Sequence, residues 1–142
     1  MIIPDVNILL YAYNADSPQH AQAAAWVEEL FSGTEIVGLS WVTLWAFLRL
    51  STNSRIWPNP KSSLQALEIV KSWLRQPDVE VVHPGERHFE LLGGLVTRYG
   101  VSSTLIGDAA LAAIALEHGA TLASTDQDFR RFPELKWVNP LG

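Results

Sequence analysis

Short apolar runs alternate along the chain with longer segments in which apolar residues recur at helical spacing. The short runs, at 2–3, 35–38, 79–82, 121–123 and 136–138, predict buried strands. The longer segments, at 6–13, 17–31, 41–50, 62–76, 86–99 and 108–118, predict helices. Because strands alternate with helices and the connections are long enough for right-handed crossovers, we expect an α/β fold. The expected architecture is a three-layer helix–sheet–helix sandwich with a central, mainly parallel sheet.

The apolar positions also predict which helix faces are buried. The spacing of Leu64, Leu67, Val70, Lys71 and Leu74 in the fourth helix predicts one apolar stripe and a charged outer face. The segment 108–118 is apolar nearly all round, so we expect a buried helix that ends at Gly119 in a left-handed conformation. Trp41 and Trp45 in the third helix are expected to pack in the core.

Length and composition narrow the class of protein. The 142 residues suit a single domain, placed at residues 1–142, which buries roughly 68–70% of its unfolded surface. There is no cysteine, so a metal site has only oxygen and imidazole ligands available. No apolar run approaches the ~20 residues of a membrane span, and the N-terminus lacks the basic region of a signal peptide. We therefore expect no membrane association and a cytoplasmic protein.

The distribution of charge is uneven. A net charge of −5 argues against a surface that is uniformly basic for nucleic-acid binding. Between residues 49 and 75, however, five basic residues accompany one acid. This stretch is interpreted either as a solvated helix face and loop or as a flank for a phosphate backbone. In the second interpretation the contacts are made by Arg49, Arg55 and Lys61.

Carboxylates occur at three places where parallel strands are expected to end. Asp5 follows the first strand, Asp108 begins the buried helix, and the pair Asp126 and Asp128 follows the fourth strand. The last three each have an alternative interpretation as helix or turn caps. An acid that ends a buried strand, in contrast, has little structural use.

Carboxylates that converge at one sheet edge repel one another unless a cation neutralises them. Mg²⁺ or Mn²⁺ suits a site made of oxygen ligands, and such ions activate a water for phosphoryl displacement. Asn7 and Ser124 are candidates for orienting the nearby acids or a water.

Three ordered motifs make the chain resemble PIN-domain nucleases. They are Asp5-Val6-Asn7, then Gly107-Asp108-Ala109-Ala110-Leu111-Ala112-Ala113 with Glu117-His118-Gly119-Ala120, and finally Ser124-Thr125-Asp126-Gln127-Asp128-Phe129. Length and spacing are similar to the VapC toxins of VapBC toxin–antitoxin pairs, and the resemblance covers essentially the whole chain. It implies a Mg²⁺-dependent endoribonuclease, usually a homodimer. A cognate VapB-type antitoxin silences such an enzyme, with its C-terminal segment across the active-site groove.

The resemblance also implies roles for individual acids. Asp5 and Asp108 are the expected principal metal ligands, Asp126 is the fourth acid, and Asp128 is an additional or water-mediated ligand. Ala46 departs from the family pattern, because relatives usually carry a glutamate there. Occupancy by one metal ion instead of two is therefore an open alternative.

Two other functions also fit part of the sequence. A catalytically impaired PIN-fold binding module is one alternative, and a haloacid-dehalogenase-type phosphatase is another, although that class needs an acid where Asn7 stands. Trp57, in a loop beside Arg55, is interpreted as a packed side chain, a base-stacking platform or an antitoxin contact. The four histidines are expected to have no catalytic role.

Overall fold

The computed structural model describes residues 1–142 and contains one five-stranded sheet. The strands are β1 (Ile2–Pro4), β2 (Val37–Ser40), β3 (Val79–Val82), β4 (Thr121–Ala123) and β5 (Lys136–Val138). Their spatial order is β3-β2-β1-β4-β5, and every neighbouring pair is parallel. The predicted parallel α/β sheet is confirmed, with β1 as its central strand.

Helices cover both faces of the sheet. They are α1 (Val6–Ala12), α2 (His20–Ser32), α3 (Trp41–Ser51), α4 (Ser63–Leu74), α5 (His88–Tyr99), α6 (Leu105–Glu117) and a 3₁₀ helix (Gln127–Arg131). Helices α1 to α4 pack with Val37 and Leu39 of β2 in one core cluster. Helices α5 and α6 and the 3₁₀ helix pack with Ile3 and Leu122 in another cluster. The three-layer sandwich is therefore confirmed.

Local sequence signals set several element boundaries. Ser62 accepts a hydrogen bond from the Gln65 amide at 3.1 Å, and the Gln65 side chain accepts one from the Ser62 amide at 2.8 Å, which caps α4 reciprocally. Gly119 has a φ of +62°, so α6 ends in the left-handed conformation that was predicted. In β2, a Cβ at Gly38 would lie 3.0 Å from side-chain atoms of both Ile3 and Val82. Glycine therefore allows close packing against the two flanking strands.

The apolar face predicted for α4 is confirmed at Val70 and wrong at its three leucines. Its buried residues are Ala66, Val70 and Trp73, whereas Leu64 is 68% exposed and Leu67 is also exposed. The helix is rotated so that its largest side chain, the Trp73 indole, reaches the core. Burial of that ring removes more apolar surface from water than burial of the leucines would.

The prediction that the two tryptophans of α3 pack in the core is also wrong. The buried residues of α3 are Thr43, Leu44, Phe47 and Ser51. Trp41 and Trp45 lie on the other side of the helix and are exposed, Trp45 by 62%. Both faces of this helix carry large apolar residues, so the sequence pattern did not distinguish the inner face.

No helix in the structure combines the length and the apolar character that a bilayer span requires.

Trp73 and Trp45 give a matched test of this packing. The Trp73 ring meets Phe47 edge-on at a centroid distance of 4.7 Å, and its indole N–H donates to the Tyr13 hydroxyl at 2.9 Å. Trp73→Ala is expected to lower the free energy of unfolding by about 3–5 kcal/mol, because it leaves a cavity. Trp45→Ala is expected to change it by less than about 0.5 kcal/mol. Urea denaturation measures both, and equal losses would contradict the assigned rotation of α3.

Candidate metal centre

The strand order places a crevice at the carboxyl ends of β1 and β4. From β1 the chain builds β2 and β3 outward on one side, and it returns to place β4 and β5 on the other side. Adjacent strands whose connections leave in opposite directions open a crevice at their carboxyl ends, where ligands of α/β proteins bind. Asp5 directly follows β1, and Ser124 directly follows β4.

Asp5 is fixed by hydrogen bonds on both carboxylate oxygens. Its Oδ1 accepts from the Val6 amide at 2.8 Å, which makes Asp5 the N-cap of α1. Its Oδ2 accepts from the Ser124 hydroxyl at 2.7 Å. The Asp5 amide donates to the Ala123 carbonyl at 2.8 Å, so main chain and side chain both bind β4 to β1.

Ser124 is buried and connects the groups around it. Besides donating to Asp5, its hydroxyl accepts from the Asp126 amide at 3.0 Å and from Asn7 Nδ2 at 3.4 Å. Its carbonyl accepts from the indole N–H of Trp137 at 3.0 Å. The Asn7 Oδ1 atom, in contrast, is buried without a hydrogen-bond partner. It is an available acceptor beside the acids.

The 3₁₀ helix presents the next two acids. Asp126 is its N-cap and accepts from the Asp128 amide at 2.9 Å, which holds these two residues in one turn. The buried rings of Phe129 and Phe132 anchor the same segment in the core beside α6. The acids are therefore carried by a turn whose apolar side is fixed.

Asp108 lies in the first turn of α6, because this helix begins at Leu105, three residues earlier than predicted. The N-cap residue is Thr104, and the Asp108 carboxylate accepts no backbone hydrogen bond. The alternative interpretation of Asp108 as a helix cap is thus not supported by its contacts. One oxygen each from Asp108, Asp126 and Asp128 all lie within 4.8 Å of one another.

Electrostatic repulsion within this group is visible in the pKa values. Burial, followed by the charges of Asp126, Asp5 and Asp128, raises the pKa of Asp108 to about 6, against the opposing charge of Arg131. Burial also raises the pKa of Asp5, although the hydrogen bonds from Ser124 and Val6 oppose the shift. Charged carboxylates are therefore poorly compensated by the protein itself.

The residues present fit a divalent cation. All three close donors are carboxylate oxygens, which hard cations such as Mg²⁺, Mn²⁺ and Ca²⁺ prefer. The unpartnered Asn7 Oδ1 adds a neutral oxygen acceptor nearby. A cation would supply the charge that these groups lack.

A cleft of about 380 Å³ opens beside the acids. Its acidic end is formed by Asp5 and Asp108, and its α3 side includes Ser40, Val42, Thr43 and Ala46. Ala46 therefore faces the cleft, and no carboxylate lines the α3 side. None of the four histidines lines the cleft either.

A second groove, of about 400 Å³, lies between α2 and α4 and is lined by Tyr13, Val27, Glu28, Phe31 and Trp73 among others. Glu28 is its only carboxylate. It therefore lacks the convergent acids of a metal centre.

The three basic residues proposed as phosphate contacts lie on or after α3. Arg49 is exposed in the last turn of α3, three residues beyond Ala46 and therefore on the helix face that borders the cleft. Arg55 is exposed in the following loop, and Lys61 is partly buried before α4. None of the three pairs with a carboxylate. Trp57 is partly buried, and its indole N–H donates to the Leu50 carbonyl at 3.1 Å.

Sequence reasoning missed two residues at this centre. Trp137 lies on β5 and binds the Ser124 carbonyl, a contact that no local pattern indicates. Arg131 ends the 3₁₀ helix, with Nη2 3.8 Å from Asp128 Oδ1. The signal available for Arg131 was its spacing of three residues from Asp128.

Fold and site together define a parallel α/β protein with an oxygen-ligand centre at its strand ends. A family model described as PIN domain matches residues 2–135. The chain therefore belongs to the PIN domain family, and the resemblance inferred from its motifs is confirmed.

Its relatives in this family include proteins named VapC. The chain is 41% identical over 141 residues to ribonuclease VapC33 of Mycobacterium tuberculosis, with 99% of each chain covered. It is 40% identical over 140 residues to ribonuclease VapC37 of the same organism, covering 99% of this chain and 97% of that protein. The solved structure of VapBC2 from Rickettsia felis, bound to a DNA fragment from its promoter, matches with a TM-score of 0.71 at 21% identity and 98% coverage of each chain. That structural match shows the shared fold.

The raised pKa of Asp108 predicts how pH changes the stability of the metal-free protein. The pKa is about 6 in the folded chain and ordinarily 3.8, so the folded state binds more protons between these values. The resulting destabilisation is absent below about pH 4, grows as pH rises, and is complete above about pH 6. At pH values above about 6, Asp108→Asn is expected to have a higher thermal midpoint than the wild type. The wild-type midpoint rises as the pH falls toward 4, and the variant is expected to show less of this rise.

Thermal unfolding followed by circular dichroism in chelator, across this pH range, measures the effect. Glu68→Gln, at an exposed position of α4, removes one carboxylate away from the centre and serves as the control. A midpoint difference between Asp108→Asn and wild type that did not vary with pH would contradict the prediction.

Proposed function

We propose that this chain is a divalent-metal-dependent endoribonuclease and the toxin of a type II toxin–antitoxin pair. The observation that carries the proposal is the convergence of Asp108, Asp126 and Asp128 within 4.8 Å at the carboxyl ends of a PIN-domain sheet. The relatives named ribonuclease VapC support RNA as the substrate. They favour a nuclease over a haloacid-dehalogenase-type phosphatase. Such a protein acts in the cytoplasm, where RNA and the antitoxin are found.

The three close carboxylates hold the cation, which we propose to be Mg²⁺ with Mn²⁺ as an alternative. Asp5, expected from the sequence to be a principal ligand, lies outside this group of three, and the hydroxyl of Ser124 fixes its carboxylate beside them. The bound ion supplies a Lewis acid for the phosphate oxygens of RNA.

The remaining polar groups position a water and the phosphodiester. Asn7 Oδ1, the buried acceptor without a partner, accepts a hydrogen bond from the attacking water. The oxygen of this water bonds to phosphorus, and the bond from phosphorus to one ribose oxygen breaks. The water releases a proton to one of the nearby carboxylates, and the leaving ribose oxygen takes up a proton from solvent.

The RNA strand approaches along the basic flank of α3. Arg49 continues the cleft-facing side of this helix, and Arg55 and Lys61 follow in the loop. Because none of these cations is paired with a carboxylate, each is available for a phosphate. Trp57 is held by its hydrogen bond to Leu50, so its ring packs on the loop more than it presents a free stacking face.

The cleft also suits a segment of the antitoxin. The walls of the cleft include Val6, Val42 and Leu111, and one end of the cleft carries Asp5 and Asp108. A VapB-type C-terminal segment with apolar anchors and one basic residue would match both features.

Exposed apolar residues elsewhere, such as Leu64, Leu67 and Phe89, are consistent with a homodimer.

Cleavage assays on graded variants test the centre. Asp108→Asn and Asp126→Asn are expected to lower the rate of RNA cleavage by more than about 100-fold, beyond the range of residues that only orient ligands. Ser124→Ala, which removes such an orienting group, is expected to cost about 10–100-fold. Glu68→Gln is the control and should retain the wild-type rate.

The assay follows labelled RNA with Mg²⁺, with Mn²⁺ and with chelator. Cleavage that persists in chelator would overturn the metal dependence. A wild-type protein that binds metal and RNA without cleaving would favour the impaired binding module.

The methyl group of Ala46 in the cleft predicts weak metal binding. With three close carboxylates and none from α3, the metal-free protein is expected to bind Mg²⁺ weakly and at one site. Ala46→Glu should tighten Mg²⁺ binding, because it adds an anionic oxygen on the opposite wall. Isothermal titration calorimetry at one ionic strength compares the two proteins. Tight binding of two ions by the unmodified chain would contradict this prediction.

A further inference from the structure

Arg131 is a cation among the carboxylates of the candidate centre. It ends the 3₁₀ helix, and its Nη2 atom lies 3.8 Å from Asp128 Oδ1. Its charge also acts on Asp108, where it opposes the surrounding anions. The guanidinium group thus influences two of the three residues assigned to hold the metal.

The contact between Arg131 and Asp128 does not serve the fold. A distance of 3.8 Å is longer than the 2.7–2.9 Å of a charge-assisted hydrogen bond. The two side chains are 48% and 46% exposed, and ion pairs this exposed contribute little to stability. The buried rings of Phe129 and Phe132 anchor this segment instead. The guanidinium group is therefore free to exchange partners.

The neighbouring Arg130 contacts an aromatic ring instead of the acids. Its guanidinium carbon lies 5.7 Å from the centre of the Trp137 ring, in a cation–π contact. Two consecutive arginines therefore face different surroundings. Arg131 is the one that pairs with an acid of the centre.

Charge neutralisation gives a reason for partner exchange. A cation held by Asp128 would satisfy the carboxylate that Arg131 now faces. The guanidinium would then lack an anion just where an RNA phosphate meets the centre. Its planar pair of N–H donors matches two oxygens of a phosphate, which an ammonium group does not. No lysine or arginine lines the cleft itself, and Arg49 lies beyond Ala46 at its border.

We propose that Arg131 binds the non-bridging oxygens of the RNA phosphate at the metal centre and thereby positions the phosphodiester for cleavage. This inference rests on the proposed nuclease function. It adds to that function a substrate contact on the acidic side of the cleft, opposite the basic flank of α3.

The test compares Arg131→Met and Arg131→Lys with a matched control, Arg87→Met. Arg87 forms a similar exposed pair three residues from its partner, with Nε 4.0 Å from Glu90 Oε2, at the start of α5. All proteins are titrated with a short fluorescein-labelled single-stranded RNA over a range of KCl concentrations. Ca²⁺ replaces Mg²⁺ as an oxygen-binding ion, and gels confirm that the RNA stays intact. Cleavage rates are measured separately in Mg²⁺.

Arg131→Met is expected to reduce the slope of log affinity against log salt by about 0.7, the loss of one phosphate contact on a single strand. It should also lower the cleavage rate by about 100-fold or more, as removal of a charge-stabilising donor does. Arg131→Lys should restore the salt slope but not the cleavage rate, and Arg87→Met should change neither.

An unchanged salt slope in Arg131→Met, with cleavage at the wild-type rate, would overturn the inference and leave the nuclease function standing. If Arg131→Met lowered the Ca²⁺ concentration needed for RNA binding without changing the salt slope, Arg131 would only neutralise the acids, and the inference would also be overturned. Absence of any metal-dependent cleavage by the wild-type protein would instead overturn the proposed function.

Discussion

The hydrogen bond from the Ser124 hydroxyl to the Asp5 carboxylate joins the ends of the adjacent strands β1 and β4, and the candidate centre depends on it. A hydroxyl has one donor and two acceptor positions. Here the donor binds Asp5, and the acceptors bind the Asp126 amide and the Asn7 side chain. Because all three positions are occupied, the hydroxyl has no free rotation. One buried side chain therefore fixes β1, α1, β4 and the 3₁₀ helix relative to one another before any ion binds.

This arrangement costs stability in the metal-free protein. The pKa values of Asp5 and Asp108 are both raised, because burial and, to a smaller extent, the charge of Asp126 disfavour their charged forms. The two core clusters on either side of the sheet supply the offsetting burial. Functional sites often contain residues that lower the stability of the fold. Here the cost is the repulsion between carboxylates, which a bound cation would relieve.

The cleft is chemically divided between its two sides. Strand ends, α6 and the 3₁₀ helix contribute carboxylates, whereas α3 contributes Val42, Thr43 and Ala46. Positive charge lies at the borders, at Arg49 on α3 and at Arg131 beside the acids. In the proposed function these two cations flank the RNA phosphates and locally offset the net charge of −5.

The sequence by itself determined the order of strands and helices, because apolar runs and helical periodicity are local properties. It also placed Asp5, Asp126 and Ser124 after strands, and parallel strands bring such positions to one edge. Tertiary structure alone decided the rotations of α3 and α4, since both helices carry large apolar residues on two faces and burial depends on distant partners such as Tyr13. It also decided that Arg131 lies near Asp108, because the packing of Phe129 and Phe132 in the core cluster of α6 sets the position of the 3₁₀ helix.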